Sequence, residues 1–195
     1  MTLTNDWLVL RVKNYMELYF DGVGRILLAD EDGRLTELSF LKERALPAGL
    51  NLEETPLLCE ARRQLEEYFD GSRRAFELPL APKGTPFQLR CWEALQKIPY
   101  GRTATYADIA RAAGSPKGFR AAGLANNRNP IAIIIPCHRV IGSNGKLVGF
   151  GGGTYTNCSA DSTLVFSDES IASLRCEEFL GGILSCGNAA LTGCT

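Results

Sequence analysis

The sequence predicts an α/β (α+β) protein, in which a small N-terminal α/β domain with a mostly antiparallel sheet precedes a helical domain. Residues 8–42 hold short apolar runs separated by glycine-containing turns, which is typical of neighbouring strands. Further along, two Thr-Pro pairs and one Ser-Pro pair each precede an apolar pattern of helical period. We place the first domain with its connector at residues 1–82, the second at 83–153, and a tail at 154–195.

The first domain is predicted to contain four strands and one helix. The strands are expected at residues 8–12, 16–20, 24–29 and 35–40. Asp32-Gly33 is a usual hairpin signal between the last two of them. A polar loop over residues 43–56 follows, and Thr55-Pro56 then begins a helix that ends at Gly71.

The second domain is predicted to begin with three helices. They are expected over residues 86–97, 106–113 and 117–127. Thr105 caps the second, and Ser115-Pro116 caps the third. Two short helices joined by Gly-Ser-Pro have the form of a helix-turn-helix. Ile131–Ile135, a β-branched run between two prolines, is predicted to be a buried strand.

Composition indicates an ordinary globular protein, with 45% hydrophobic and 22% charged residues. No apolar stretch approaches the ~18 residues of a membrane span, and the first residues do not resemble a signal peptide. We therefore expect a cytoplasmic protein that does not bind membranes. The seven cysteines show no CxxC spacing and there is a single histidine, so we expect no metal site, and no disulfide framework in residues 1–153.

The net charge of −1 conceals a strong asymmetry along the chain. Residues 1–82 hold 10 basic and 15 acidic side chains, whereas residues 83–150 hold 10 basic and only 2 acidic ones. The last 45 residues hold 1 basic and 5 acidic side chains. A segment of net charge +8 is either a solvated basic surface or a binding site for a polyanion such as a nucleic acid.

Cys137 and His138 form the candidate reactive pair, because they directly follow the predicted buried strand and Pro136. A free cysteine thiol has a pKa of ~8.5, so a cysteine nucleophile needs a base or a positive neighbour to ionise at neutral pH. His138, with Arg139 behind it, supplies both. The glycines that follow, up to residue 153, allow backbone to approach a ligand closely.

The run Pro136-Cys137-His138-Arg139-Val140, with Asn129-Pro130 before it and a glycine-rich segment after it, resembles the active-site motif of the O6-alkylguanine-DNA alkyltransferases. The resemblance covers about residues 85–153. It implies DNA repair by direct reversal, in which an alkyl group moves from DNA to the protein's own cysteine. The substrate would be duplex DNA with O6-alkylguanine or O4-alkylthymine, one protein molecule would act once as a monomer, and no cofactor would be needed.

The resemblance also assigns roles to individual residues. Cys137 would accept the alkyl group, and His138 would draw off its proton directly or through water. Tyr106 matches a tyrosine that donates a hydrogen bond to the flipped base, and Asn129 matches an asparagine that ties the helix-turn-helix to the active-site strand. The backbone carbonyls of Cys137 and Val140 would read the exocyclic amine of guanine.

The predicted third helix is poor in side chains that could read base edges, because its middle is Arg-Ala-Ala-Gly-Leu-Ala. A face of small residues suits either close packing inside the domain or close approach to the minor groove. By resemblance, Arg120 enters the base stack when the nucleotide turns out. The backbone around Phe150 and Gly151 would line the mouth of the pocket and face O6.

The tail departs from the family pattern. The family continues with a leucine-rich helix and a glutamate that hydrogen-bonds the histidine, but the corresponding position here is about Leu164. The tail is either a genuine divergence or the product of a changed reading frame. Asp161, Asp168 and Glu169 are the candidates to replace the missing carboxylate.

Two other functions compete with alkyl transfer. The first is a protein that binds alkylated DNA with little or no transfer, which the missing glutamate favours and the presence of Cys137 opposes. The second is a cysteine hydrolase with a Cys137–His138 dyad. Neighbouring residues on a strand point to opposite faces, and a strand would therefore fit such a dyad poorly.

Overall fold

The computed structural model describes residues 12–41 and 45–143, together with the backbone of two short strands in the tail. The strands are β1 (Lys13–Phe20), β2 (Gly24–Glu31), β3 (Arg34–Phe40), β4 (Asn51–Leu52), β5 (Ala104–Thr105), β6 (Val140–Ile141), β7 (Arg175–Glu177) and β8 (Gly182–Leu184). The α-helices are α1 (Pro56–Phe69), α2 (Pro86–Gln96), α3 (Tyr106–Ala112) and α4 (Phe119–Asn127), and Cys137–Arg139 form one 3₁₀ turn. No helix among the described residues is long and apolar enough to cross a membrane.

The N-terminal domain is built on a four-stranded sheet of order β3-β2-β1-β4. The β1–β2 and β2–β3 pairs are antiparallel and the β1–β4 pair is parallel, so the predicted mostly antiparallel sheet is confirmed. The predicted hairpin is also confirmed, because Asp32 and Gly33 both adopt positive φ angles, 52° and 67°, between β2 and β3. Of the first predicted strand, residues 8–11 lie outside the described residues, and Val12 precedes β1.

Two strand predictions in this domain differ from the structure. β1 begins at Lys13, three residues before the predicted start, because its polar first residues pair with β2 as regularly as the apolar ones. β4 lies within the predicted polar loop and consists of two exposed residues that pair with β1. Hydrophobic alternation cannot reveal so short an exposed strand, since its stability comes from backbone hydrogen bonds to a neighbour.

Helix α1 has the predicted limits and covers the sheet. The Thr55 hydroxyl accepts a hydrogen bond from the backbone N–H of Leu58 at 3.2 Å, and Pro56 occupies the first turn. Gly71, with a φ of 85°, follows the last turn. One face of the helix is buried against the sheet domain and comprises Leu58, Ala61, Gln64, Leu65, Tyr68 and Phe69.

Helix α2 is the first helix of the second domain and packs on α4. It begins with a capping box between Thr85 and Gln88. The indole N–H of Trp92, which is buried, donates to the backbone carbonyl of Ala125 at 2.9 Å. This bond joins α2 to the third helix of the domain.

The α3–α4 pair forms the predicted helix-turn-helix, but α4 begins later than predicted. Thr105 and Asp108 form a capping box at the start of α3. The backbone N–H of Gly118 donates to the carbonyl of Ser115 at 2.7 Å, so residues 115–118 form a turn. α4 therefore starts at Phe119 with Gly118 as its N-cap and no side-chain cap, and Ser115-Pro116 does not cap it.

The prediction of a buried strand at Ile131–Ile135 is wrong. Only Ile131 pairs like a strand residue, in an isolated parallel bridge with Leu38 of β3. The chain then turns, with Ile133 at a φ of 68° and the N–H of Ile135 donating to the carbonyl of Ile131 at 3.0 Å. The run is buried as expected, but apolar periodicity cannot distinguish a short buried strand from a buried turn.

The turn also joins the two domains. The backbone of Leu38 makes two hydrogen bonds to this segment. Its carbonyl accepts from the Ala132 N–H at 3.1 Å, and its N–H donates to the Pro130 carbonyl at 2.9 Å. The buried apolar residues of the sheet, of α1 and of the helical domain form one continuous core. The sheet domain therefore supports residues 130–132 directly.

The connector generates a stability prediction at Gly84. A Cβ atom at this position would lie 2.5 and 2.6 Å from two ring carbons of Trp92, and that indole is buried and cannot move away freely. We expect Gly84→Ala to lower the free energy of unfolding by about 1–3 kcal/mol, as overpacking usually does. Thermal and urea unfolding measure the change.

Gly123→Ala is the matched control, because a Cβ atom there meets only two Tyr106 ring carbons, at 3.6 and 3.7 Å. Its expected effect on stability is neutral or favourable, since alanine is preferred over glycine within a helix. Equal loss of stability in both variants would contradict the packing argument for Gly84.

Candidate active site

Cys137 lies at the start of the 3₁₀ turn, directly after the buried turn of residues 131–135. Its side chain is only 4% exposed and forms no disulfide. The Cys137 carbonyl oxygen accepts two hydrogen bonds, from the backbone N–H of Val140 and from Nδ2 of Asn126 at 3.2 Å. Because these bonds use both lone pairs of that carbonyl, reading a guanine amine with it would require one bond to give way.

Asn129 holds the buried turn from inside. Its Nδ2 donates to the carbonyl of Ile135 at 2.7 Å, and its Oδ1 accepts from the N–H of Ile131 at 3.1 Å. One side chain thereby closes both ends of the turn that leads to Cys137. The expected tie between the helix-turn-helix and the active-site segment has this geometry, although the segment is a turn and not a strand.

Tyr106 is brought beside Cys137 by a small parallel ladder. Ala104 of β5 pairs with Val140 of β6, and Thr105 pairs with Ile141. Tyr106 follows at once as the first residue of α3, while Val140 is the residue just after the 3₁₀ turn. The pairing of β5 with β6 therefore holds Tyr106 in space close to the 3₁₀ turn that begins at Cys137.

The environment of Tyr106 keeps its hydroxyl protonated. Burial raises the pKa of Tyr106, and the negative charge of a Cys137 thiolate raises it further. A hydrogen-bonding contact with the Asn126 side chain opposes these effects. A protonated phenol next to the cysteine can donate a hydrogen bond or a proton to a molecule bound there.

The neighbours of Cys137 in the sequence point in different directions. His138 is half-buried, whereas Arg139 is buried with its guanidinium against the N-terminal domain. Arg139 donates to the hydroxyl of Tyr68 on α1 at 3.1 Å and to the carbonyl of Ile98 at 3.0 Å, and it lies over the Tyr100 ring. These contacts give Arg139 a structural role in addition to any effect on the thiol.

The argument against a Cys137–His138 dyad has to be restated, because the two residues do not lie on a strand. A 3₁₀ helix has three residues per turn, so adjacent side chains point roughly 120° apart. That direction still differs from the convergent arrangement of a nucleophile and its base in hydrolases.

The exposed face of α4 combines cationic and apolar groups. Arg120 is exposed, and its guanidinium lies 5.9 Å from the ring centroid of Phe119. Lys117 and Arg128 are exposed as well, and no acidic partner pairs with these three cations among the described residues. Leu124 on the same face is 52% exposed. The small residues Ala122 and Ala125 are buried, so they serve the packing of the helix inside the domain.

The structure thus brings five of the predicted site residues together, namely Tyr106, Asn129, Cys137, His138 and Val140. Arg120 lies in the first turn of α4, at the surface. Phe150 and Gly151 lie outside the described residues, as do Leu164 and the candidate carboxylates of the tail. Within the described ranges, no cluster of three or more His, Cys, Asp or Glu side chains is arranged to hold a metal ion.

Sequence reasoning missed Asn126 altogether, and it assigned Arg139 only to the positive charge beside the thiol. Asn126 contacts the Cys137 carbonyl, and Arg139 connects the 3₁₀ turn to α1. A signal for Asn126 exists, because it follows Ala122 by four residues and Gly123 by three, on the small-residue face. A polar residue in that register is expected to be buried and hydrogen-bonded. Nothing in the sequence indicates that Arg139 would cross to the other domain.

Comparison with protein-family models gives two matches. Residues 14–82 match the model of the 6-O-methylguanine DNA methyltransferase ribonuclease-like domain. Residues 86–160 match the model of the 6-O-methylguanine DNA methyltransferase DNA binding domain. The matches together span most of the chain and leave out the end of the tail.

Individual proteins show the same likeness. The chain is 52% identical over 142 residues to a methylated-DNA–protein-cysteine methyltransferase of Methanosarcina barkeri, covering 71% of this chain and 89% of that protein. It is 47% identical over 144 residues to the constitutive methylated-DNA–protein-cysteine methyltransferase of Bacillus subtilis, covering 71% and 87%. Among solved structures, Mycobacterium tuberculosis OGT in complex with DNA superposes with a TM-score of 0.64 at 43% identity, covering 71% and 84%.

The geometry around Asn129 generates a stability prediction. Asn129→Ala removes two hydrogen bonds, leaves the buried Ile131 N–H without its partner and leaves the Ile135 carbonyl with only the Cys137 N–H, so we expect a loss of about 2–4 kcal/mol in the free energy of unfolding. Urea denaturation measures it. The control is Asn127→Ala, at an exposed position two residues away, with an expected change within about 0.5 kcal/mol. Similar values for both variants would show that Asn129 does not hold the turn.

Proposed function

Since the chain belongs to the 6-O-methylguanine DNA methyltransferase family, we propose that it repairs DNA by moving the alkyl group of O6-alkylguanine onto Cys137. Its activity is that of a methylated-DNA–protein-cysteine methyltransferase. The observation that carries the assignment to Cys137 is the buried thiol beside a tyrosine that stays protonated.

The transfer is a displacement at the alkyl carbon. His138 draws the proton from the thiol through an intervening water, because adjacent side chains of the 3₁₀ turn do not converge. The thiolate sulfur then forms a bond to the alkyl carbon as the carbon–O6 bond breaks. The electron pair of the broken bond stays on guanine, which leaves as an anion and takes up a proton. The sulfur–carbon bond of the product resists hydrolysis, so each protein molecule acts once. Because an alkyl group moves without a change of oxidation state, the step is complete without a cofactor.

Tyr106 is assigned to the leaving base. Its pKa is raised by burial and by the neighbouring thiolate, so the hydroxyl remains a donor while the thiol is ionised. Donation to the base lowers the energy of the guanine anion as it forms. The thiolate therefore forms the new bond at the alkyl carbon, and the phenol stabilises the guanine that leaves.

Access to duplex DNA is assigned to α4. The base edge that reacts is buried in the stack, so the nucleotide has to turn out into the pocket, at a cost of a few kcal/mol. Arg120 lies exposed at the start of α4, and Lys117 and Arg128 leave their charge available to phosphates. The exposed face of α4 carries few side chains that could hydrogen-bond to base edges, which suits the minor groove and reads little sequence. We also propose that the protein repairs O4-alkylthymine in DNA by the same reaction. It acts as a monomer on both substrates.

A second candidate is a protein that binds alkylated DNA without transfer. It is supported by Leu164 at the position where the family has a glutamate, because that glutamate would orient the imidazole and stabilise its cation. The presence of Cys137 favours transfer, because a thiolate forms more easily than the alkoxide of a serine hydrolase.

Mass spectrometry tests the proposed function. After incubation with DNA containing O6-methylguanine, we expect a gain of about 14 Da on Cys137, the mass of a methyl group replacing a proton. Cys137→Ser should remove the gain, and Cys59→Ser, on α1, should retain it. DNA binding without any gain in mass would favour the second candidate, and repeated turnover would indicate a hydrolase.

The role of Arg120 is tested by comparing two substrates. Arg120→Ala should slow repair of duplex DNA by about tenfold to a hundredfold, because the cost of extrusion is no longer offset. The rate with free O6-benzylguanine should stay within about twofold, since a free base needs no extrusion. Arg34→Ala, which replaces an exposed arginine at the start of β3, is the control for loss of charge alone. Equal losses with both substrates would place Arg120 in the chemistry or in the fold.

A further inference from the structure

Asn126 is a buried polar residue on the face of α4 that points toward Cys137. It is 3% exposed and lies among the buried alanines of the helix, Ala122 and Ala125. An amide in such a place costs free energy unless its polar atoms are hydrogen-bonded. Its contacts therefore indicate what the side chain does there.

The amide nitrogen of Asn126 serves two partners of the site. Nδ2 donates to the carbonyl of Cys137 at 3.2 Å, and the side chain also makes a hydrogen-bonding contact with Tyr106. That contact lowers the pKa of Tyr106, which is the direction produced by an N–H group that points at the phenol oxygen. An amide nitrogen carries two hydrogens, so a single group can serve both partners.

The other amide atom supports this orientation. Oδ1 of Asn126 is buried and accepts no hydrogen bond of normal geometry from the described residues. The phenol proton of Tyr106 is therefore not held by Oδ1. An N–H that points at a hydroxyl oxygen occupies a lone pair and leaves the direction of the O–H bond to be set by another acceptor.

Helix α4 also supports the ring of Tyr106. A Cβ atom at Gly123 would touch the ring at 3.6 Å, so the ring lies directly over this glycine. Gly123 and Asn126 are three residues apart and share one face of the helix. One turn of α4 thereby contacts both the ring and the hydroxyl of Tyr106.

We propose that Asn126 is a positioning residue for alkyl transfer, which donates its amide N–H to the Tyr106 hydroxyl and so directs the hydroxyl proton toward the substrate base. Its second N–H holds the Cys137 carbonyl, so the tyrosine and the nucleophile keep a constant relation to each other. The inference rests on the proposed function, since it concerns the same reaction. It assigns Asn126 an effect that passes through Tyr106.

A double-mutant cycle tests this coupling. The proteins are the full chain with Asn126→Leu, with Tyr106→Phe, and with both changes, and the measurement is the single-turnover rate with free O6-benzylguanine. We expect each single change to slow the reaction by about tenfold, the effect of one hydrogen bond. The double variant should be slower than Tyr106→Phe by much less than the tenfold loss of Asn126→Leu alone, because Asn126 then has no hydroxyl to orient and only its hold on the Cys137 carbonyl is lost. Losses that multiply to about a hundredfold would overturn the proposal.

A second variant tests the direction of the hydrogen bond and keeps nearly the same shape. Asn126→Asp can donate only while its carboxyl is protonated, and once ionised it accepts the phenol proton instead. The rate relative to the unchanged protein should therefore fall as pH rises through the pKa of the new carboxyl. The fall should be smaller in the Tyr106→Phe background, where only the effect of the charge on Cys137 remains. An equal pH dependence in both backgrounds would overturn the proposal.

Two controls separate this inference from the function on which it rests. The unchanged protein must gain the benzyl group on Cys137, and its failure to react would contradict the proposed function and not the coupling. Asn127→Leu replaces the neighbouring exposed asparagine, and we expect its rate with the free base to be unchanged within about twofold. Thermal unfolding of every variant identifies any that fail to fold, in which case the Asn126→Asp comparison decides.

Discussion

Residues 131–135 form an apolar turn inside the protein, and each backbone polar group buried there needs a hydrogen-bond partner. Leu38 of β3 binds the Pro130 carbonyl and the Ala132 N–H. Asn129 binds the Ile131 N–H and the Ile135 carbonyl, which also accepts from the Cys137 N–H. The turn contains a β-branched residue, Ile133, at a positive φ, a conformation that costs of order 1–3 kcal/mol. The surrounding contacts must outweigh this cost for the turn to persist.

The position of the nucleophile follows from that requirement. Cys137 follows this turn closely, so the hydrogen bonds that close the turn also restrict the movement of Cys137. The end of α4 contributes Asn126 on one side of Cys137, and Asn129 just after the helix holds the turn on the other. Arg139 continues the chain into the N-terminal domain through Tyr68. The sheet domain, which carries no proposed catalytic residue, therefore supports this segment through Leu38 and through Tyr68, which accepts a hydrogen bond from Arg139.

The same helix connects the surface with the site. Arg120 stands at the exposed start of α4, and Asn126 contacts the Cys137 turn less than two helical turns further on. The two domains also differ in how their charged side chains are paired. Many of the described ion pairs lie in the acidic N-terminal domain, including Lys13–Glu37 and Arg73–Glu67. The cations of α4 and its preceding turn keep their charge for a partner, as a surface for a polyanion requires.

The sequence by itself determined the mostly antiparallel sheet, the limits of α1 and the helix-turn-helix, because hairpin and capping signals act over a few neighbouring residues. It also indicated the family, through Pro136-Cys137-His138-Arg139-Val140. Only the tertiary structure decided that Ile131–Ile135 is a turn, that α4 begins at Phe119, that Asn126 belongs to the site, and that Arg139 contacts the N-terminal domain. These features depend on partners far apart in the chain, such as Leu38 for the turn and Tyr68 for Arg139, and local patterns carry no information about which distant groups will satisfy a buried polar atom.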